Sequence, residues 1–190
     1  MHAAFVARSA SAVPLHLMTA KGLGPWTKTQ PARIKVMVDA AGFRGDTGKA
    51  LLVHGAGGEL ESVLVGLGEG TDGFALASLP GSLPAGDYAL TEIPGGLDGE
   101  TLAIGWADGA YKFTRYKAGE KPRRLLLPKS VDAAEVSRQA EAIDWLRDLV
   151  NTPPCDLGPV EIAAGAQALA KEFGAEIEIT TGKALESGYP

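Results

Sequence analysis

Apolar residues recur along the chain at two spacings, and these spacings predict an alternation of strands and helices. Pro14–Thr19 is a short apolar run typical of a strand. Gln30–Ala41 places apolar residues three and four positions apart, as one face of a helix does. Two further apolar runs, Lys49–His54 and Glu61–Gly66, flank a glycine-rich link, which predicts a β-hairpin.

The rest of the first 128 residues continues this alternation. We predict a short helix over Gly73–Leu79, a strand over Asp87–Ile93, a long helix over Leu97–Tyr116 and a buried strand over Arg123–Leu127. Strands that alternate with helices, together with a hairpin, indicate a partly antiparallel sheet with helices on its faces. The fold class predicted for residues 1–128 is therefore α/β, a three-layer αβα domain with a mixed sheet.

The clearest helical pattern follows, at residues 132–150. Asp132 can cap the first free amides, and Glu135 three residues later fits a capping box. The apolar stripe of this helix comprises Val136, Ala140, Ile143, Leu146 and Val150. The Pro153–Pro154 pair ends the pattern, because the first proline disfavours helical geometry in the residue before it. We predict that residues 129–154 form a linker helix and its junction.

A second α/β unit is predicted to begin at residues 155–190. A helix starts at Pro159 and ends at Gly174, and Ala175–Thr180 then alternates apolar and polar residues as a strand with one solvated face does. Another helix begins at Lys183. Because a lone strand needs neighbours for stability, we expect these residues to be the truncated start of a second domain.

Composition agrees with a globular protein and narrows its partners. The 190 residues are 45% hydrophobic and 22% charged, which is ordinary for a folded domain. No apolar run approaches the roughly 20 residues of a membrane-spanning helix, and the single cysteine cannot form an internal disulfide. We therefore expect a cytoplasmic protein that does not bind membranes. The net charge of −5 argues against nucleic acid as a partner.

The glycine-rich link Gly55–Gly58 is the first candidate for chemistry. Loops of this kind can expose backbone amides to a phosphate group. The dinucleotide-binding pattern, however, requires a helix after the loop, and here a strand pattern follows. We therefore favour a hairpin turn over a phosphate site.

A basic cluster near residue 115 is the second candidate. Its cations are Lys112, Arg115, Lys117, Lys121, Arg123 and Arg124. The aromatic residues Tyr111, Phe113 and Tyr116 lie among them, and such interleaving can bind nucleic acid through charge and stacking. We favour a solvated helix end, where cations complement the negative end of the helix dipole. ADP-ribose and duplex DNA are the ligands that would reveal the binding alternative.

His54 and Cys155 are the remaining reactive candidates. No Ser or Cys stands in an activating context near His54, so a hydrogen-bonded structural histidine is favoured over a catalytic base. No base stands near Cys155 in the sequence, so we assign it no nucleophilic role. With one cysteine and three scattered histidines, a Cys/His zinc site cannot be drawn, and any metal would need carboxylate ligands.

Two segments together resemble the leucine aminopeptidase family, also called cytosol aminopeptidases. The first, GWADGAYKFTRYK at 105–117, is similar to that family's run of a small residue, Gly-Ala-Tyr, a basic residue and Phe before Tyr-Lys. The second, DLVNTPPCDLGP at 148–159, resembles the run that ends the helix between the N-terminal and catalytic domains. Asn is commoner in the family at Cys155, and Thr or Ser at Gly158.

The resemblance implies a macro-domain-like N-terminal domain, a linker helix and the opening of a catalytic domain. Members of the family remove N-terminal amino acids from peptides with two divalent ions, Mn or Zn, and assemble as hexamers. Their metal ligands lie in Val-Gly-Lys-Gly, Phe-Asp-(Ser or Thr)-Gly-Gly and Asn-Thr-Asp-Ala-Glu-Gly-Arg runs, none of which occurs in this sequence. No residue of this sequence therefore inherits a catalytic, cofactor-binding or metal-binding role.

We therefore expect the N-terminal portion of a metal-dependent leucyl aminopeptidase, with a structural or assembly role and no activity of its own. The peptide substrate and the metal ions would be handled by the catalytic domain. The alternative is a ligand-binding or nucleic-acid-binding αβα module. A third hypothesis is a self-sufficient small α/β protein with a structural role.

Overall fold

The computed structural model describes residues 1–188, and the chain divides into two compact units, Met1–Trp145 and Leu146–Pro190. The elements of the first unit, in chain order, are β1 Phe5–Val6, β2 Val13–Thr19, α1 Ala20–Thr29, α2 Ala32–Ala40, β3 Ala50–His54, β4 Leu60–Gly68, β5 Gly86–Leu90, α3 Gly99–Ala110 and β6 Arg123–Leu126. Helix α4, Ala133–Asn151, begins in the first unit and ends in the second, which also contains α5 Pro159–Phe173 and α6 Lys183–Gly188.

One six-stranded sheet organises the first unit, in the order β1-β6-β5-β2-β4-β3. Neighbouring strands are parallel except for β3 and β4, which form the antiparallel hairpin. A row of aligned residues crosses four strands, since Val13 pairs with Tyr88, Tyr88 with Leu125 and Leu125 with Phe5. The predicted α/β class, the mixed sheet and the hairpin are confirmed.

Two separate hydrophobic clusters cover the two faces of this sheet. The larger cluster packs α3, the first half of α4 and residues 75–83 against one face, and Leu102, Trp106 and Val136 are fully buried in it. The smaller cluster packs α1 and α2 against the other face. Burial of apolar area on both faces is the main stabilising contribution to such a layered fold. The three-layer αβα arrangement is thus confirmed.

The helix predicted over Gly73–Leu79 is wrong. This segment is a series of turns, in which the amide of Ala77 bonds the carbonyl of Phe74 and the amide of Leu79 bonds that of Leu76. Leu76 and Leu79 are both buried against the larger cluster. A segment this short gains little from helix formation, so side-chain burial decides its conformation.

The helix predicted over Leu97–Tyr116 is shorter than expected and ends at Ala110. Asp98 caps its start by accepting a hydrogen bond from the amide of Thr101 at 2.8 Å. Beyond Tyr111 the side chains of residues 114–122 are largely exposed, and residues 111–122 contain neither helix nor strand. Helices depend on a buried apolar face, and the residues after 110 offer none.

Asp132 caps α4 as predicted, since its Oδ1 accepts hydrogen bonds from the amides of Ala134 (2.9 Å) and Glu135 (3.2 Å). The predicted capping box is incomplete, however. Glu135 pairs instead with Arg138 at 2.6 Å, because a cation one turn ahead competes for its carboxylate. The amide of Asp132 donates to the carboxylate of Glu100 at 3.4 Å.

The apolar stripe predicted for α4 is buried only in its first half. Val136 and Ala140 lie in the larger cluster. Leu146 and Val150 are 58% and 78% exposed. Exposed apolar residues of this size, close together on one helix, are uncommon on the surface of a folded monomeric protein.

The second unit contains the predicted helices but lacks the predicted strand. Glu161 accepts a hydrogen bond from the amide of Gly158 at 2.9 Å at the start of α5, and Gly174 ends the helix with a φ of 66°. Residues Ala175–Thr180 are not part of a sheet, because no described strand lies beside them to complete hydrogen-bonded pairs. The helix predicted to begin at Lys183 is confirmed as α6.

Candidate functional site

The Gly55–Gly58 segment is the tight turn of the β3–β4 hairpin. The amide of Gly55 bonds the carbonyl of Glu59 at 2.8 Å, and Gly58 has a φ of 86°, which favours glycine. The carboxylate of Glu59 folds over this turn so closely that a Cβ at Gly55 would overlap it. A negative group thus occupies the space beside the amides that a phosphate would need. The geometry supports the hairpin interpretation.

His54 stands at the end of β3 with an exposed side chain. Its backbone carbonyl accepts a hydrogen bond from the guanidinium of Arg33, which also pairs with Glu61 on β4. Within residues 1–188 its ring makes no hydrogen bond to a protein group, so the predicted hydrogen-bonded ring is wrong. The backbone of His54, rather than its imidazole, connects α2 to the hairpin.

The basic cluster does not form a helix end, which corrects the favoured interpretation, because α3 ends before it. Two of its cations are engaged by the fold. Arg124 makes two hydrogen bonds to Asp87, at 2.7 and 3.1 Å, and these hold the pKa of Asp87 below its usual value. The guanidinium of Arg123 donates to the carbonyl of Leu83 at 2.9 Å and pairs with Glu120 at 2.9 Å.

The aromatic residues of the cluster pack on one another. Phe113 and Tyr116 meet edge to face with ring centroids 5.7 Å apart. The guanidinium of Arg115 lies 5.9 Å from the centre of the Tyr116 ring, which is a cation–π contact. These contacts occupy ring faces that a stacking platform for nucleotide bases would need.

Cys155 is exposed in the turn that follows α4, where the amide of Asp156 bonds the carbonyl of Pro153 at 2.9 Å. The local structure is a simple backbone turn after two prolines. A thiol becomes a strong nucleophile when a nearby cation or helix N-terminus stabilises the thiolate. We therefore assign no nucleophilic role to Cys155.

A crevice that sequence reasoning missed opens at the carboxyl ends of β2 and β5. These neighbouring strands lead to helices on opposite faces of the sheet, α1 and α3, which makes a topological switch point. Ligands of open α/β sheets bind at such points. The cavity measures about 250 Å³, and its lining includes His16, Thr19, Trp26, Thr91, Glu92 and Pro94. Only the strand order, which the sequence does not show, reveals it.

The crevice contains an imidazole, that of His16, but no reactive pair. Burial lowers the pKa of His16 below its ordinary value. Its Nδ1 lies 3.3 Å from the hydroxyl of Thr91, and its ring lies 5.3 Å from that of Trp26. These groups can bind and orient a small ligand, but they do not include a nucleophile beside a base.

A metal centre does not fit the described part of the chain. Across residues 1–188, no three His, Cys, Asp or Glu side chains are grouped so that they could hold an ion. A pair of divalent ions requires several converging carboxylates, and the described residues do not supply them. Across the same residues, no helix is both long and apolar enough to cross a membrane.

Comparison with known proteins gives a consistent result. The model of the M17 aminopeptidase N-terminal domain matches residues 13–128. A probable cytosol aminopeptidase of Streptomyces avermitilis is 34% identical over 134 residues, which cover 61% of this chain and 25% of that protein. Another, from Streptomyces coelicolor, is 28% identical over an alignment 206 residues long, which covers 85% of this chain and 39% of the relative.

The solved structures agree with the sequence relatives. The crystal structure of the cytosol aminopeptidase from Coxiella burnetii is 30% identical, with a TM-score of 0.87, and the match covers 96% of this chain and 40% of that one. The bottromycin maturation enzyme BotP in complex with Mn shares the fold, with a TM-score of 0.73 at 22% identity.

The match is confined to one part of these relatives. The chain spans 25% to 39% of the two curated relatives and 40% of the Coxiella burnetii structure. The region that the family model describes is the N-terminal domain, and it covers more than half of this chain. The chain therefore belongs to the M17 aminopeptidase family, and it matches the N-terminal portion of the family's members.

Proposed function

We propose that this chain is the N-terminal structural portion of a metal-dependent leucyl aminopeptidase that removes N-terminal amino acids from peptides. The match of the M17 N-terminal domain to residues 13–128 carries this proposal. The likeness to the Coxiella burnetii enzyme extends over 96% of the chain and therefore includes helices beyond that domain. Peptide hydrolysis is the activity that the names of the relatives indicate.

In this proposal the chain contributes structure, while the catalytic part of the enzyme contributes chemistry. Two divalent ions, Mn or Zn, would be bound by the catalytic part, since residues 1–188 offer no grouped carboxylates for them. The ions would polarise the scissile carbonyl and activate a water molecule. The residues of this chain would support assembly of a homo-hexamer and control access to the active sites.

The proposed organisation has three parts. Residues 1–128 form the αβα domain, residues 129–154 the linker helix and its junction, and residues 155–190 the start of the catalytic domain. The end of the family match at residue 128 supports the first boundary. We also propose a cytoplasmic location, in keeping with the names of the cytosol aminopeptidases that the chain resembles.

Hydrolysis of leucine p-nitroanilide with added Mn²⁺ tests the proposal. The full-length product of the gene that encodes this chain should release p-nitroaniline, and a chelator should abolish the release. The purified 190-residue chain should not release it at all. A full-length product without metal-dependent activity would contradict the proposed function.

The crevice at the carboxyl ends of β2 and β5 supports a second candidate role, the binding of a small ligand. Its volume of about 250 Å³ would hold one end of a ligand such as ADP-ribose, with the rest of the ligand outside the crevice. Because Trp26 lines it, titration with ADP-ribose should change tryptophan fluorescence in a saturable way if the crevice is a site of that class. The Trp26→Phe variant would remove this signal and identify its source. An unchanged spectrum would eliminate this candidate for ADP-ribose.

A further inference from the structure

The crevice at the carboxyl ends of β2 and β5 combines an aromatic ring with groups that accept hydrogen bonds. His16, Trp26 and Glu92 belong to its lining, and the described residues that line it include no lysine or arginine. Glu92 is exposed and makes no ion pair within residues 1–188. The formal charge that the lining itself supplies is therefore negative.

The hydrogen bonds of Thr91 set the position of the proton on the His16 ring. The hydroxyl of Thr91 donates to the carbonyl of Leu15 at 3.1 Å, which uses its single proton. The Nδ1 of His16, 3.3 Å from that hydroxyl oxygen, therefore carries the imidazole proton and donates to the oxygen. Nε2 is then an acceptor, and it makes no hydrogen bond within residues 1–188. Burial lowers the pKa of His16 below its ordinary value of 6.5, so Nε2 keeps its lone pair at about pH 7.

The indole of Trp26 adds an electron-rich ring to the same lining. It is half-buried on α1 and lies 5.3 Å from the ring of His16, with the two ring planes tilted by 49°. Tryptophan attracts a cation more strongly than the other aromatic side chains when the cation lies within about 6 Å of the ring. All three groups therefore favour a ligand that is positively charged and donates hydrogen bonds.

We propose that this crevice binds the protonated primary amine of a small ligand. An ammonium group has three N–H donors, for which His16 and Glu92 supply acceptors, while the ring of Trp26 attracts its charge. The volume of about 250 Å³ suits the amine end of a ligand. Amino acids and peptides carry such an amine, and so do polyamines. This inference rests on the second candidate role proposed above, to which it gives a ligand class, and it does not depend on peptide hydrolysis.

Two other kinds of ligand fit the lining less well. A phosphate group would meet the carboxylate of Glu92 without a cation to balance it, and the amide of Gly22 at the start of α1 already donates to the hydroxyl of Thr19 at 3.0 Å. A neutral ring with an amino group, such as adenine, could stack on Trp26 and donate to His16. It would gain nothing from the charge of Glu92, however, so this charge distinguishes an ammonium from a neutral ring.

Nuclear magnetic resonance of the 190-residue chain at about pH 7 tests the proposal. Leucinamide is the probe for an amino-acid or peptide source, and putrescine is the probe for a polyamine source. At least one of them should shift the backbone amide signals of Gly22, Thr91 and Glu92 in a saturable way. The matched compounds without amines, 4-methylpentanamide and 1,4-butanediol, should not. Equal shifts with an amine and its matched compound, or no saturable shift with either amine, would overturn the proposal.

Glu92→Gln removes the charge and keeps the shape of the side chain. It should weaken binding of the amine about fivefold, the effect of one exposed ion pair. Glu141→Gln is the matched control, since it removes the same charge from an exposed position of α4 outside the lining, and it should leave binding unchanged. The amide spectrum without ligand shows whether each variant keeps the fold. An unchanged affinity of Glu92→Gln for the amine would contradict the proposal. If adenosine saturates the same signals and the amines do not, a neutral ring is the occupant and the proposal is wrong.

The outcomes separate this inference from the leading proposed function. Saturable amine binding by the chain, without metal-dependent hydrolysis by the full-length gene product, would keep the amine site and remove the aminopeptidase function. Hydrolysis by the full-length product, without amine binding by the chain, would do the reverse.

Discussion

Replacing Trp106 by alanine is the sharpest test of how the first unit is held together. The indole is fully buried, and its ring centre lies 5.5 Å from that of Tyr88. Its N–H donates a hydrogen bond to the carbonyl of Arg123 at 3.3 Å. One side chain therefore joins α3 to both β5 and β6.

The expected cost follows from the buried volume. Truncating a core tryptophan to alanine costs about 3–5 kcal/mol of unfolding free energy, because a cavity remains and the apolar contacts are lost. Domains of this size have only about 5–15 kcal/mol in total. Since about 1 kcal/mol shifts the Tm by about 2–4 °C at this size, Trp106→Ala should lower the Tm by about 6–20 °C.

Trp145→Ala is the matched control, because this tryptophan of α4 is 41% exposed. It should change the unfolding free energy by no more than about 1 kcal/mol. Urea unfolding followed by circular dichroism would measure both variants against the unsubstituted chain. Equal losses of stability in the two variants would refute the packing described for the larger cluster.

Two further predictions follow from close contacts and charge. Gly109→Ala should destabilise the fold by about 1–3 kcal/mol, because its Cβ would overlap the backbone carbonyl of Ala77. Gly105→Ala should cost less, since its nearest neighbour would be 3.2 Å away, and the reverse order in urea unfolding would contradict this contact. Arg124 lowers the pKa of Asp87, so the stability from this pair is complete above the usual carboxyl pKa of 3.8 and is lost as the pH falls through the lowered pKa. Asp87→Asn should flatten the acid side of the stability profile from about pH 5 downward, and an unchanged profile would exclude the pair as its cause.

The elements predicted correctly are those in which the apolar pattern of the sequence matches the side chains that the fold buries. The sequences of the β3–β4 hairpin and of α2 have clear apolar patterns. The apolar residues that form these patterns pack in the hydrophobic core. Helix α1 gave no such signal, because two glycines and Pro25 oppose helix formation within it. It forms because Thr19 caps its start and Leu23 is buried against the sheet.

Features that depend on distant neighbours could not be predicted. The strand β1 has only two residues, and its place beside β6 is set by pairing across more than a hundred positions. The sequence pattern of residues 175–180 is that of a strand, but a strand also needs a partner. The crevice beside His16 exists only because strands far apart in the sequence, β2 and β5, are neighbours in the sheet.

The proposed function places the hydrolytic metal chemistry outside this chain. Electron paramagnetic resonance of Mn²⁺ in the presence of the purified 190-residue chain tests it most directly, because the signal of hydrated Mn²⁺ decreases when the ion binds protein. We predict that the signal stays at its protein-free intensity when the chain is in excess. Loss of the signal with the chain in excess, followed by saturation at two ions per chain as more Mn²⁺ is added, would contradict the account.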